Sequence, residues 1–232
     1  MHRQHISSYI LKALTISLLL TLMHVTVNAQ NVRPKIAMVK KDTIPLFRGL
    51  AVSGDLVGIA QLAFGDYGQY EAALRVNLKD KYFPIIELGY GKANAEDIST
   101  RISYKTSAPY GRIGIDFNLM KNKHDDYRLY GGMRYAYTAF KYDMFSPGLT
   151  DPVWRDKVEY NASNVDCNYH WMEIVFGVDA KIWGPIRLGW NVRYKRRLIH
   201  KEGDLGNAWY VPGYGKTGSS RLGGAFNVIF EL

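Results

Sequence analysis

Beyond residue 30 the chain carries three histidines, His124, His170 and His200, and one cysteine, Cys167. A hydrolase or acyltransferase would need a serine nucleophile within reach of a histidine base, with an acid or amide to orient it. His170 stands near Glu173 and His200 closes a strand-like run, but neither has a serine beside it on an alternating face. The histidines are scattered and Cys167 has no partner at ligand spacing, so no metal site is expected. The glycines flanking Tyr90 lack the strand-turn-helix context of a phosphate loop. No catalytic residue and no cofactor is therefore expected, and a single cysteine allows no intrachain disulfide.

The chemistry on offer is electrostatic. The acids Asp55, Glu71, Glu87, Asp116, Glu173, Asp179 and Glu231 and the bases Arg75, Arg112, Arg134, Lys181, Arg187, Arg193 and Arg221 share one face of stretches that alternate with period two. Acids and bases balance in number, and all the bases but Lys181 are arginines, whose planar fork suits buried pairing. Between them lie Gly89, Gly91, Gly114, Gly132, Ala136, Gly177, Gly189, Gly223 and Ala225. So much glycine would weaken a wetted strand face, whereas a narrow barrel interior leaves little room for side chains. The expectation is an ion-pair network filling a lumen. A separate basic run, Lys195, Arg196 and Arg197, falls where a strand would leave a membrane and is expected either to contact phosphorylated lipopolysaccharide headgroups or to form a solvated lip.

The elements that must hold these charges are strands. Opposite each charged face runs a face with no charge, for example Leu74, Val76, Leu78, then Ile113, Ile115, Phe117, then Ile174, Phe176, Val178, then Ile186, Leu188, Trp190, Val192. About eight such stretches follow Leu46, joined alternately by longer segments (Gln61 to Gly68, Ala93 to Ala108, Asp143 to Asn168, His200 to Ser220) and shorter ones (Lys79 to Lys81, Met120 to Tyr127, Trp183 to Pro185). The pattern predicts an all-β fold: a closed antiparallel up-and-down transmembrane β-barrel with short periplasmic turns and long extracellular loops. A soluble exported barrel with an apolar core also alternates and is the competing architecture. Tyrosines 70, 90, 137 and 194 toward one rim and Phe117, Trp183 and Phe230 toward the other match paired aromatic girdles. The aromatic segments DPVW and WYVPGYGK in the long connections are expected to bind a partner or to fold over the mouth as a cap.

Ahead of the barrel, Arg3 and Lys12, an apolar run from Ala13 to Val25 and small residues up to Ala29 have the layout of a secretory signal. The expected organisation is a signal peptide over 1–29, a periplasmic leader over 30–45 and a barrel over 46–232. The formal net charge of +9 is spread over separate segments, which argues against nucleic acid as a partner.

Phe226, Val228, Phe230 and Leu232 alternate up to the C-terminus and resemble the signal that outer-membrane proteins present to the barrel-insertion machinery. The blocks KKDTIPLF, FPIIELGYGK, SAPYGRIGIDFN, LTDPVW and WYVPGYGK resemble an uncharacterised family of Bacteroidetes outer-membrane barrels. That resemblance implies fold and location and carries no activity. The expected partners are outer-membrane lipid and lipopolysaccharide, the insertion machinery and an extracellular ligand. The expected role is that of a non-enzymatic outer-membrane barrel with a closed lumen, acting through its loops or in envelope integrity. The alternatives are a lipid A or phospholipid modifying enzyme and a small pore.

Overall fold

A computed structural model describes residues 45–98, 101–150, 157–201, 203 and 208–232. The expected signal segment and the leader up to residue 44 lie outside the described residues. The elements are β1 (Phe47–Asp55), α1 (Leu56–Phe64), β2 (Tyr67–Leu78), β3 (Tyr82–Glu96), β4 (Ser103–Asn118), β5 (Tyr127–Thr150), β6 (Lys157–Trp183), β7 (Ile186–Lys201), the short β8 (Tyr210–Val211) and β9 (Gly215–Lys216), and β10 (Ser220–Glu231). Eight strands close into one antiparallel ring in the order β1-β10-β7-β6-β5-β4-β3-β2, each beside its chain neighbour, while β8 and β9 form a separate two-stranded hairpin. This is the up-and-down barrel that the alternation predicts. Closure removes the free sheet edges that an open sheet would expose, except where β1 ends at Asp55 and the upper parts of β2 and β10 do not meet.

The turns at one end are short. Lys79 and Asp80 both take left-handed backbone angles, φ 56° and 54°, which makes a tight turn between β2 and β3, closed by the Lys81 amide on the Leu78 carbonyl at 3.1 Å. Asn77 accepts the Asp80 amide at 2.9 Å and donates to its carboxylate at 2.6 Å, which fixes that turn. Gly184, at φ 52°, supplies the corresponding turn between β6 and β7.

At the other end the long connections differ from expectation in two ways. The segments Ala93–Ala108 and Asp143–Asn168 are largely continued strand: β3 runs to Glu96 and β4 starts at Ser103, while β5 and β6 have 24 and 27 residues. At ~3.3 Å per residue these two are about 80 to 90 Å long, against the roughly 9 to 11 residues needed to cross a hydrocarbon layer. The reason they resemble loops in sequence is that the alternation inverts along the barrel. In the turn half, charges face in and apolar side chains face out. In the loop half, Tyr104, Phe140, Tyr142, Cys167 and Tyr169 face in, and Lys105, Lys141, Asp143 and Asp166 face out.

The second difference is α1, which replaces part of the expected Gln61–Gly68 connection and takes Leu56 out of the first strand. Asp55 ends β1 and caps the helix, its carboxylate accepting the amides of Val57 at 3.0 Å and Gly58 at 3.1 Å. The helix ends at Gly65, whose amide bonds to the Gln61 carbonyl at 2.9 Å. Glycines let it lie close on β2: a Cβ on Gly68 would fall 2.4 Å from the Leu62 nitrogen, and one on Gly58 would fall 2.5 Å from the Gln69 carbonyl oxygen.

Candidate functional site: an ion-paired lumen under an inserted hairpin

Because neighbouring strands set alternate residues inward, charges far apart in sequence meet on the barrel axis. Glu87 from β3 receives Arg134 at 2.7 Å from β5, Arg193 at 2.7 Å from β7 and Arg112 at 3.1 Å from β4. Arg112 also pairs with Glu71 of β2 and with Glu173 of β6, the latter at 2.9 Å. Asp116 takes Arg134 at 2.7 Å and Arg75 at 3.4 Å; Asp179 takes Arg187 at 2.7 Å and Arg75 at 3.2 Å. Glu231 closes the turn end with Arg128 at 2.5 Å and Arg187 at 3.6 Å. All of these side chains but Glu231 are buried. Aromatic rings fill between them, with the Arg75 guanidinium 4.9 Å from the Tyr130 ring, Arg112 4.7 Å from Tyr110 and Arg128 5.2 Å from Phe83. Taking each ion out of water costs several kcal/mol, so the network coheres only because each charge meets more than one partner.

Three expected members have other places. Asp55 is buried in its role as the α1 cap and also accepts the Phe226 amide at 3.2 Å. Lys181 has the inward parity of Asp179, but it stands at the turn end of β6, beyond the packed charges, and is exposed. Arg221 donates to the carbonyls of Lys216 at 2.7 Å and Thr217 at 3.4 Å, bracing the foot of the hairpin. The basic run expected as one patch is also divided, because the alternation sends its members to different sides of the wall. Lys195 is buried in the lumen, Arg196 is exposed on the outer face, and Arg197 reaches the Tyr169 hydroxyl at 3.3 Å. Arg128 is a member of the network that the sequence reading omits. Its parity with Arg134 is the available signal, hidden when Tyr127 is taken as the end of a loop.

The lumen is covered from the loop end by residues 208–219, which precede β10. The β8–β9 hairpin folds back into the mouth, burying Tyr210, Val211 and Tyr214. Its tip carbonyl, Gly213, accepts from Arg112 at 2.8 Å and from Lys195 at 2.7 Å, and Lys195 also donates to the Tyr214 carbonyl at 3.2 Å. Hydrogen bonds from charged donors stabilise by about 1.5 to 3 kcal/mol each. Tyr104 donates to the Tyr210 carbonyl at 2.8 Å, and Tyr210 donates to the Gly68 carbonyl at 3.2 Å. Gly213 has φ +79° and lies against the Tyr110 ring, where a Cβ would come within 2.5 Å. WYVPGYGK thus covers the mouth as an inserted hairpin, and DPVW lies outside the described residues.

At the turn end, Asp80 gathers Arg48 at 3.2 Å and His124 Nδ1 at 2.7 Å. Burial pushes its carboxyl up, but His124, Asn77 and the Arg48 and Arg128 charges outweigh burial and hold it below the usual carboxylate range. His170 lies on the outer face, hydrogen-bonded to the Tyr135 hydroxyl at 2.7 Å with its ring 4.5 Å from that of Tyr137. Among the described residues no three metal-ligating side chains converge.

The family model described as Domain of unknown function (DUF6048) matches residues 8–230. The chain belongs to that family. No curated protein matches this DUF6048 chain. Among solved structures it is similar to Neisserial surface protein A, at 10% identity and TM-score 0.42 over 80% of this chain and 99% of that one. It is also similar to a major outer membrane protein from Thermus thermophilus, at 13% identity and TM-score 0.40 over 81% and 100%. A third is CarO2 of Acinetobacter baumannii, at 14% identity and TM-score 0.38 over 81% and 99%. These likenesses are loose, and the DUF6048 barrel described above rests on its own strand pairing.

Proposed function

We propose that this chain is a non-enzymatic outer-membrane β-barrel with a closed lumen, acting through its loop end or in envelope integrity rather than as a pore. The observation that carries the reading is the inside-out distribution of side chains around the ion pairs. Leu88 is 65% exposed, Trp190 61% and Phe176 59%, while the inward-facing Glu87, Arg112, Arg134 and Glu173 are at 3% or less. Soluble monomers rarely expose contiguous apolar patches above a few hundred Å². A charge-free belt around a charged interior suits a barrel whose outer solvent is hydrocarbon.

The lumen supports closure rather than conduction. Eight strands enclose a bore that side chains can fill, and here the filling is a cross-linked set of arginines and carboxylates under a seated hairpin. Planar-bilayer recording of the purified chain tests the point: no steady single-channel steps are expected. Stable ohmic steps at neutral pH would contradict closure. For the enzymatic alternative, lipid A from deletion and wild-type cells should show the same acyl pattern. A difference restored only by intact His170 or His200 would make the chain an enzyme.

A further inference from the structure

The ring is complete, but one seam of it is only half strand. β1 pairs with β10 from Ala51↔Glu231 to Asp55↔Asn227 and with β2 from Phe47↔Leu78 to Gly54↔Ala72. Above that level, residues 67–71 of β2 and 220–226 of β10 have a strand partner on one side only. α1 stands in the gap. It lies directly on β2 through Gly58 and Gly68, and between it and β10 a cavity of about 160 Å³ remains.

Two features of this cavity are informative. Its β10 wall includes the inward positions Gly223 and Ala225 and also the outward positions Leu222 and Gly224. Residues of both parities border this one space where β10 has a strand partner on one side only, which places the cavity in the gap of the barrel wall. Its charged lining is basic: Arg112, Arg193, Lys195, Lys216 and Arg221 against Asp55, whose carboxylate is committed to capping α1 and to the Phe226 amide. Arg112 and Arg193 are held by lumen carboxylates, whereas Lys195 and Arg221 meet only backbone carbonyls of the hairpin segment, so no carboxylate among the described residues neutralises them. At ~30 Å³ per water it has room for about five waters or one phosphate or carboxylate group.

The outside of the seam has a different character. α1 contains no charged residue and exposes Leu56, Ile59, Ala60, Ala63 and Phe64, the i, i+3, i+4, i+7, i+8 stripe of one helix face, with Phe64 92% exposed. On the other side of the gap Leu222 is 75% exposed. The apolar belt of the barrel therefore continues across the seam and flanks the entrance to a basic cavity. Arg196, exposed and paired with Ser220 at the top of β10, marks the polar margin above it.

We propose that this seam is a lateral binding site for an anionic membrane amphiphile. The headgroup phosphate or carboxylate enters the cavity toward Lys195, Lys216 and Arg221, and its acyl chains stay outside on the α1 stripe and Leu222. The site rests on the membrane reading above. It requires no opening of the lumen, because the hairpin and the ion pairs stay in place behind the headgroup.

The test uses the full chain purified in a maltoside detergent and native mass spectrometry with dioleoyl phosphatidic acid, dioleoyl phosphatidylcholine or inorganic phosphate added. Phosphatidic acid should be retained preferentially, and Lys216→Gln and Arg221→Gln should each weaken it by about fivefold, the usual worth of one base near an anionic headgroup. Gly223→Leu fills the cavity without removing charge; its Cβ would meet only the Lys195 side chain, at 3.5 Å or beyond, so the barrel should fold and phosphatidic acid should be lost. Phe64→Ser should weaken phosphatidic acid and leave phosphate unchanged. Equal retention of the two lipids, insensitivity to Gly223→Leu, or phosphate binding as tightly as the lipid would overturn the proposal. Recovery of the chain from cells without detergent would defeat the membrane reading itself, whereas an embedded barrel that does not discriminate lipids would defeat only this site.

Discussion

Glu87 shows what a single residue does in this barrel, because three guanidinium groups from three other strands meet on one carboxylate. Glu87→Gln keeps the shape and removes the charge. It should cost about 3 to 5 kcal/mol, the usual penalty for leaving buried charge uncompensated, read as an earlier midpoint in urea unfolding from lipid. Lys181→Gln, exposed at the turn end of β6, should change the stability by less than about 0.5 kcal/mol. Asp80 adds a pH dependence outside the ion-paired lumen. Its folded value lies below the ordinary carboxylate value of about 3.9, so the stability it contributes is present above that value and lost as pH falls through the lowered one. Hydrogen-exchange protection at the β2–β3 turn, taken relative to the intrinsic rate at each pH, should fall below about pH 4, and Asp80→Asn should remove that acid-side change. Unaltered acid dependence in the variant would assign the effect to another group. At this scale the sequence is legible wherever strand parity is followed. It misleads where residues are read as blocks, since Lys195, Arg196 and Arg197 point to different sides of the wall. It also misleads where a side chain has a local use, as Asp55 has in capping α1.

Among the elements, α1 and the β8–β9 hairpin account for most of what period-two alternation does not reveal. Leu56, Ile59, Ala60 and Ala63 after a capping Asp55 form a helical stripe, but Leu56 also continues the spacing of Leu50 and Val52, so a strand pattern absorbs it. Asp55→Ala removes the cap and one partner of the β10 edge. It should cost about 1 kcal/mol and speed exchange in α1 while the strands stay protected. The hairpin depends on a tertiary contact, that of Gly213 with Arg112, Lys195 and the Tyr110 ring, which no local pattern encodes. Gly213→Val, strained at φ +79° and pressed on that ring, should expel the tip and make residues 208–216 cleavable by protease in the intact barrel. Resistance equal to wild type would show that the tip is not seated as described. The strand extensions escape the sequence pattern for a different reason. Tyr104, Phe140, Tyr142 and Tyr169 turn the apolar side inward in the loop half, so a single rule of apolar outside and polar inside loses the strands where the burial pattern inverts.

For the whole molecule, that inversion is the main physical statement. One continuous set of strands carries two opposite burial patterns, charges inside an apolar belt in the turn half and aromatics inside a polar surface in the loop half. Strand number, closure and the charged lumen follow from alternation, because a period of two is fixed by backbone geometry and survives any choice of surroundings. Which surroundings the belt meets is the central claim, and fractionation combined with gel migration tests it most directly. The full chain should be recovered from the outer-membrane fraction only with detergent and should migrate differently before and after boiling, as a closed barrel that resists dodecyl sulfate until heated. A chain recovered from the periplasm without detergent, with one mobility at both temperatures, would contradict the account.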